Sequence, residues 1–104
     1  MKIAEVHVTY PDLVSSNDLA ERLIHAHLAA CVNVVPIQSI YEWKDKINTE
    51  KECLVIIKTS VAKKAGLILE LKATHPYELP AITYSEVSVT AEYGAWVVKC
   101  VNKQ

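Results

Sequence analysis

The sequence predicts an α+β sandwich: four antiparallel strands in one sheet, two helices packed on one face, and a third helix closing the chain. Three observations carry that expectation. Four segments alternate or run apolar as strands do, the segments between and after them place apolar residues at helical spacing, and 104 residues suffice for one domain, residues 1–104, around one core.

The first strand is Ile3 to Thr9, where Ala4, Val6 and Val8 fall on one side and Glu5, His7 and Thr9 on the other. Pro11-Asp12 breaks it. Ser15-Ser16-Asn17-Asp18 then offers capping oxygens ahead of Leu19, Ala20, Leu23, Ile24, His27 and Leu28, which predicts a helix from about Ser16 to Ala29. Cys31 to Val35 is rich in β-branched residues and continues through Ile37 to Trp43, so one long strand is expected, with a bulge or an exposed edge near Pro36. The polar stretch Lys44 to Lys51 follows, with no strand assigned to it. Glu52 to Lys58, apolar on both faces at its centre, reads as a strand covered on both sides.

A second helix is expected to start at Ser60, with Val61, Ala65, Ile68, Leu69 and Lys72 along its stripe, Leu67 and Leu71 widening it, and Pro76 ending it. Ala81 to Val89 alternates as the fourth strand. Tyr93, Trp96, Val97, Cys100 and Val101 then recur at i, i+3, i+4, i+7 and i+8, a third helix. The order βαββαβ with an added C-terminal helix matches the ferredoxin-like split βαβ arrangement. Right-handed crossovers put both main helices on one face, yet Val34 and Val35, or Ile56 and Ile57, must point to opposite faces. The second face therefore needs a cover, either the third helix or a neighbouring subunit.

Composition removes several function classes. Hydrophobic residues make up 51% and charged residues 22%, with two glycines and four prolines, which excludes disorder and collagen-like repeats. Eleven basic residues against twelve acidic give a net charge of −1, and Arg22 is the sole arginine, so no clustered basic face is available for nucleic acid. No apolar run approaches the ~20 residues of a spanning helix, and Met1-Lys2-Ile3-Ala4-Glu5 does not start a signal peptide. Cys31, Cys53 and Cys100 are odd in number and lack zinc-site spacing, so they read as packed thiols in a reducing, cytoplasmic compartment.

Four phrases carry a family resemblance: Leu28-Ala29-Ala30-Cys31-Val32-Asn33, Tyr41-Glu42-Trp43, Ile57-Lys58-Thr59 and His75-Pro76-Tyr77-Glu78-Leu79-Pro80. Together they resemble the signature blocks of the CutA family of divalent-ion tolerance proteins, in the same order and with similar spacing, over roughly Ile3 to Trp96. The resemblance implies a ferredoxin-like subunit in a tight homotrimer, a link to copper or other divalent cations, and kinship in shape with PII-like signalling trimers that bind small ligands between subunits. It also implies a metal site built from a cysteine on the first strand and histidines at the end of the second helix. Here Val8 stands at the cysteine position and Thr74 at the first histidine position, which leaves His75 as the one candidate metal ligand. Copper or zinc normally requires three or four ligands, so any metal is expected to be bound weakly or indirectly and not to be required for folding.

The remaining candidate cluster is the loop His75 to Pro80 with Tyr41, Trp43 and Lys58. In one reading His75, Tyr77 and Glu78 form a rigid turn that docks on a neighbouring subunit. In the other they line a cleft between subunits for a metal or small anion, with Lys58 as counter-charge. A possible protein partner reading the trimer belongs to the same pair of alternatives. Catalysis is not expected. Arg22 stands alone without a glycine-rich phosphate loop, and no nucleophile can be assigned to His75.

Overall fold

Sheet order and helix placement follow from which strand has apolar residues to spare on both sides. The computed structural model describes residues 1–103 and contains β1 (Lys2–Tyr10), α1 (Leu13–His25), β2 (Cys31–Trp43), β3 (Lys46–Thr59), α2 (Lys64–Thr74), β4 (Ile82–Ser88) and α3 (Ala91–Val101). The strands lie in the order β2-β3-β1-β4, every neighbouring pair antiparallel, as the ferredoxin-like expectation requires. Val6, Val8 and Tyr10 of β1 and Val55 and Ile57 of β3 meet Leu19 and Leu23 of α1 and Leu67 and Leu71 of α2 in one buried cluster. Burying each such aliphatic side chain stabilises the fold by about 1.5–3 kcal/mol.

The opposite face is only partly covered. α3 packs against β1 and β3, burying Val97 and Val101, and its Tyr93 lies beside Glu5 and Cys31. Ile3, fully buried at the end of β1, completes this smaller apolar layer.

Four local expectations are corrected. Helix α1 begins at Leu13, not Ser16, because the Asp12 carboxylate accepts the Ser15 N–H at 2.8 Å and caps the helix before any of the four polar residues predicted to do so. The same helix stops at His25, not Ala29. His27 turns left-handed at φ 58°, and Leu28 N–H and His27 N–H return to the carbonyls of Leu23 and Ile24. This double closure usually uses glycine, whose absence hid it.

Helix α2 is preceded by a single 3-10 turn, Val61–Lys63, capped by the Ser60 hydroxyl accepting the Lys63 N–H. Three residues wound at 3.0 instead of 3.6 per turn rotate Val61 by roughly 60° relative to the helix that follows, and Val61 is exposed. Within α2 itself Leu67 and Leu71 face the core, packed with Val6, Val8, Val55 and Ile57, while Ala65, Leu69 and Lys72, assigned to the stripe by sequence, are exposed.

The fourth correction concerns the hairpin. Pairing of β2 with β3 runs without slippage from Cys31↔Lys58 to Trp43↔Lys46, so no bulge forms at Pro36, which the edge position of β2 accommodates. The turn consists of Lys44 and Asp45 alone, both left-handed (φ 52° and 64°), and Lys46 to Lys51 is strand. That arm looked like a loop because it has no apolar side to bury: β1 pairs with β3 only as far as Tyr10↔Cys53. Beyond that point the hairpin projects as a two-stranded ribbon, which makes the subunit 45 Å long but only 25 by 21 Å across.

Candidate functional site

The early end of β1 leaves a notch beside the β3 arm, and the chain from α2 to β4 fills part of it. Pro76 cannot continue the helix, so α2 ends at Thr74 and the backbone turns extended at His75 (φ −68°, ψ 137°). His75 then anchors the loop through both ring nitrogens. Nε2–H donates to the Thr9 carbonyl at 2.8 Å, and Nδ1 accepts the Tyr77 N–H at 3.0 Å. Its ring lies between those of Tyr10 and Tyr77, with centroids 4.3 and 4.8 Å away. Burial holds the imidazole below its ordinary value of 6.5, against the opposing pull of the Thr9 carbonyl and the Glu52 carboxylate, so near neutral pH the ring is uncharged.

Tyr77 makes the second anchor. Its hydroxyl donates to Glu52 Oε2 at 2.6 Å, a short charge-assisted bond to a residue that is only 8% exposed. Burial first, and this bond second, push the Tyr77 phenol far above its ordinary range, so it acts as a fixed donor. Between this loop and the ribbon lies a cleft of about 660 Å³. Tyr41, Trp43, Glu50 and Glu52 form its hairpin wall, and Pro76 to Leu79 form its loop wall. Tyr41, close to Glu50, also has its phenol raised, by burial and then by that carboxylate.

The structure thus brings Tyr41, Trp43, Tyr77 and Glu78 together around one cleft, with His75 behind the loop as its anchor. Lys58 is not there. It pairs with Cys31 and Glu5 toward the other end of the sheet, five residues along β3 from Cys53, so it cannot serve as the counter-charge of this cleft. Sequence reasoning missed Thr9, whose carbonyl holds His75, and Glu52 and Glu50. The signal was available: Glu50 and Glu52 alternate onto one face just before the apolar run of β3.

Metal ligation fits the residues poorly. Neither nitrogen of His75 has a lone pair free for an ion while both hydrogen bonds stand. Among the described residues no three His, Cys, Asp or Glu side chains converge as a metal-holding group. Cys31, Cys53 and Cys100 are free thiols.

The family model of the CutA1 divalent ion tolerance protein matches residues 4–100. The chain belongs to the CutA1 divalent ion tolerance family. Among CutA relatives, the Divalent-cation tolerance protein CutA of Thermotoga maritima is 37% identical over 97 residues, covering 92% of this chain and 96% of that protein. The Protein CutA homolog of Xenopus laevis is 42% identical over 78 residues, which is 74% of this chain but 52% of the longer frog protein. The solved structure of the periplasmic divalent cation tolerance protein CutA from Archaeoglobus fulgidus superposes with a TM-score of 0.91 at 34% identity, covering 98% of this chain and all of that one. No helix among the described residues of this CutA chain is long and apolar enough to cross a membrane.

Proposed function

We propose that this chain acts in divalent-cation tolerance as a homotrimer whose subunits handle copper or related ions weakly or indirectly, without catalysis and in the cytoplasm. The observation that carries the reading is the commitment of both His75 nitrogens to the loop: the one histidine in the metal position is used as a structural pin. Assembly is supported by the ribbon, because a two-stranded hairpin on its own is barely stable in water and this one exposes Ile40 and Ile47. The three free thiols favour a reducing compartment. Calorimetric titration of copper and zinc into metal-free, reduced protein, with mass measured by light scattering in the same sample, tests it. Weak or absent binding to a trimer is expected. Stoichiometric submicromolar binding would overturn the indirect role, and a monomer at micromolar concentration would overturn the assembly.

A second reading, a PII-like trimer that binds a small molecule, is favoured by one specific observation. The volume of the cleft falls within the range of about 300–1,000 Å³ typical of small-molecule sites, far more than a bare ion occupies.

A further inference from the structure

We propose that the cleft between the ribbon and the His75–Pro80 loop binds an aliphatic polyamine, a ligand with two or more primary ammonium groups on a methylene chain. The proposal deepens the small-molecule reading of the cleft and rests on it.

Charge gives the sign of the ligand. Glu42, Glu50, Glu52 and Glu78 all line the cleft, and no lysine, arginine or histidine does. Among the described residues none of these four carboxylates is in an ion pair; the two pairs that exist, His7–Glu5 and Lys64–Glu86, lie elsewhere. Glu52 is more than nine-tenths buried as a residue; its Oε2 accepts from the Tyr77 hydroxyl, and among the described residues no cationic side chain pairs with its charge. A carboxylate charge set against low-dielectric walls without a paired cation is costly, and a cationic ligand in the cleft would offset that cost.

The walls give the chemical class. The rings of Tyr41, Trp43 and Tyr77, with Pro76, Leu79 and Ala81, supply apolar and aromatic surface that a hydrated metal ion does not use but that methylene groups and ammonium heads do. The Trp43 ring also meets an ammonium within the chain, since Lys44 Nζ, which does not line the cleft, stands 5.9 Å from its centroid. Glu50 and Glu52, two apart on one strand, project to the same side about 7 Å from each other, so their charges favour a ligand with separated ammonium groups over a single one.

The test is titration of spermidine into the intact protein by calorimetry at ~20 mM salt, where surface charge is weakly screened, with adenosine monophosphate and magnesium as comparison probes. Spermidine is expected to bind. Glu50→Gln and Glu78→Gln, both at exposed positions that leave the Tyr77–Glu52 bond intact, should each weaken it about twofold to fivefold. Trp43→Leu should weaken it roughly threefold to thirtyfold. Lys44→Ala removes a positive charge adjacent to the cleft wall and should tighten binding of a cation, whereas a site for anions would be weakened by it. Unchanged unfolding midpoints would show that these variants fold. If adenosine monophosphate binds and spermidine does not, the small-molecule reading stands and the polyamine is refuted. If neither binds at up to about 5 mM, both fail. Displacement of spermidine by magnesium at equal charge concentration, or unaltered affinity in Trp43→Leu, also refutes the proposal, because simple charge screening would then account for the binding.

Discussion

Replacing His75 separates a pin from a ligand, because its two ring nitrogens do different work. The Nε2–H bond to Thr9 and the Nδ1 bond from Tyr77 N–H contribute on the order of 1 kcal/mol each, and the ring contacts with Tyr10 and Tyr77 add about 1–2 kcal/mol together. His75→Ala should therefore destabilise the fold by about 3 kcal/mol in urea unfolding. His75→Gln places an amide N–H near the Nε2 position and should recover part of the Thr9 bond, while His75→Asn places an oxygen near Nδ1 and should recover part of the Tyr77 bond. Each should cost about 1–2 kcal/mol.

The same residue sets a pH signature. The unfolded imidazole takes up its proton near 6.5, but the folded one resists protonation to lower pH because burial disfavours its charge. Between those two values the unfolded state binds more protons, so the contribution of His75 is complete above about pH 6.5 and is lost as pH falls through the folded value. The stability difference between wild type and His75→Gln should shrink over that acid window. If His75→Ala costs less than about 0.5 kcal/mol, or if the pH profiles of wild type and variant stay parallel, the pin does not exist.

Two further substitutions test the fold. His27→Gly should raise stability by about 0.5–1 kcal/mol in the same urea assay, since glycine enters the left-handed cap at φ 58° without Cβ strain; a loss would mean that the His27 side chain contributes more than its backbone conformation costs. The Thr59 hydroxyl is fully buried without a hydrogen-bond partner, so Thr59→Val, nearly the same shape, should stabilise by about 1 kcal/mol in thermal unfolding, and a destabilised variant would point to a partner the hydroxyl does have.

Much of the architecture was legible because it follows from period. Alternation in β1 and β4 and the doubly apolar run of β3 gave the strands, and their order with the helices gave the topology. What escaped was decided by single groups or by distant geometry. The Asp12 cap and the left-handed His27 are local, but neither breaks an apolar pattern. The Lys46–Lys51 arm carried no strand signal, because the strand beside which it would have shown one stops at Tyr10. The site was half legible. Tyr41, Trp43, Tyr77 and Glu78 were selected as a group and do meet, whereas Lys58 was assigned to them without regard to the ~3.3 Å rise per residue that carries it away along β3. The role of His75 depended on Thr9, 66 positions earlier in the chain, which no spacing rule could reach.

The central place of β1 has a consequence for synthesis. Of the four strands it is made first, yet the β3 residues that pair with it lie 43 to 55 positions downstream, from Tyr10↔Cys53 to Ala4↔Thr59, and those of β4 lie farther still. The β2–β3 ribbon, by contrast, closes across a separation of three residues at Trp43↔Lys46. Joining Val8 to Ile82, 74 positions apart, costs about 3 kcal/mol more loop entropy than that first closure. The hairpin can zip as soon as its turn emerges, whereas the strand that organises the whole sheet waits for β3 to pair Val6 and Val8 on one side, and on the other stays open at Ile3 until β4 has been made.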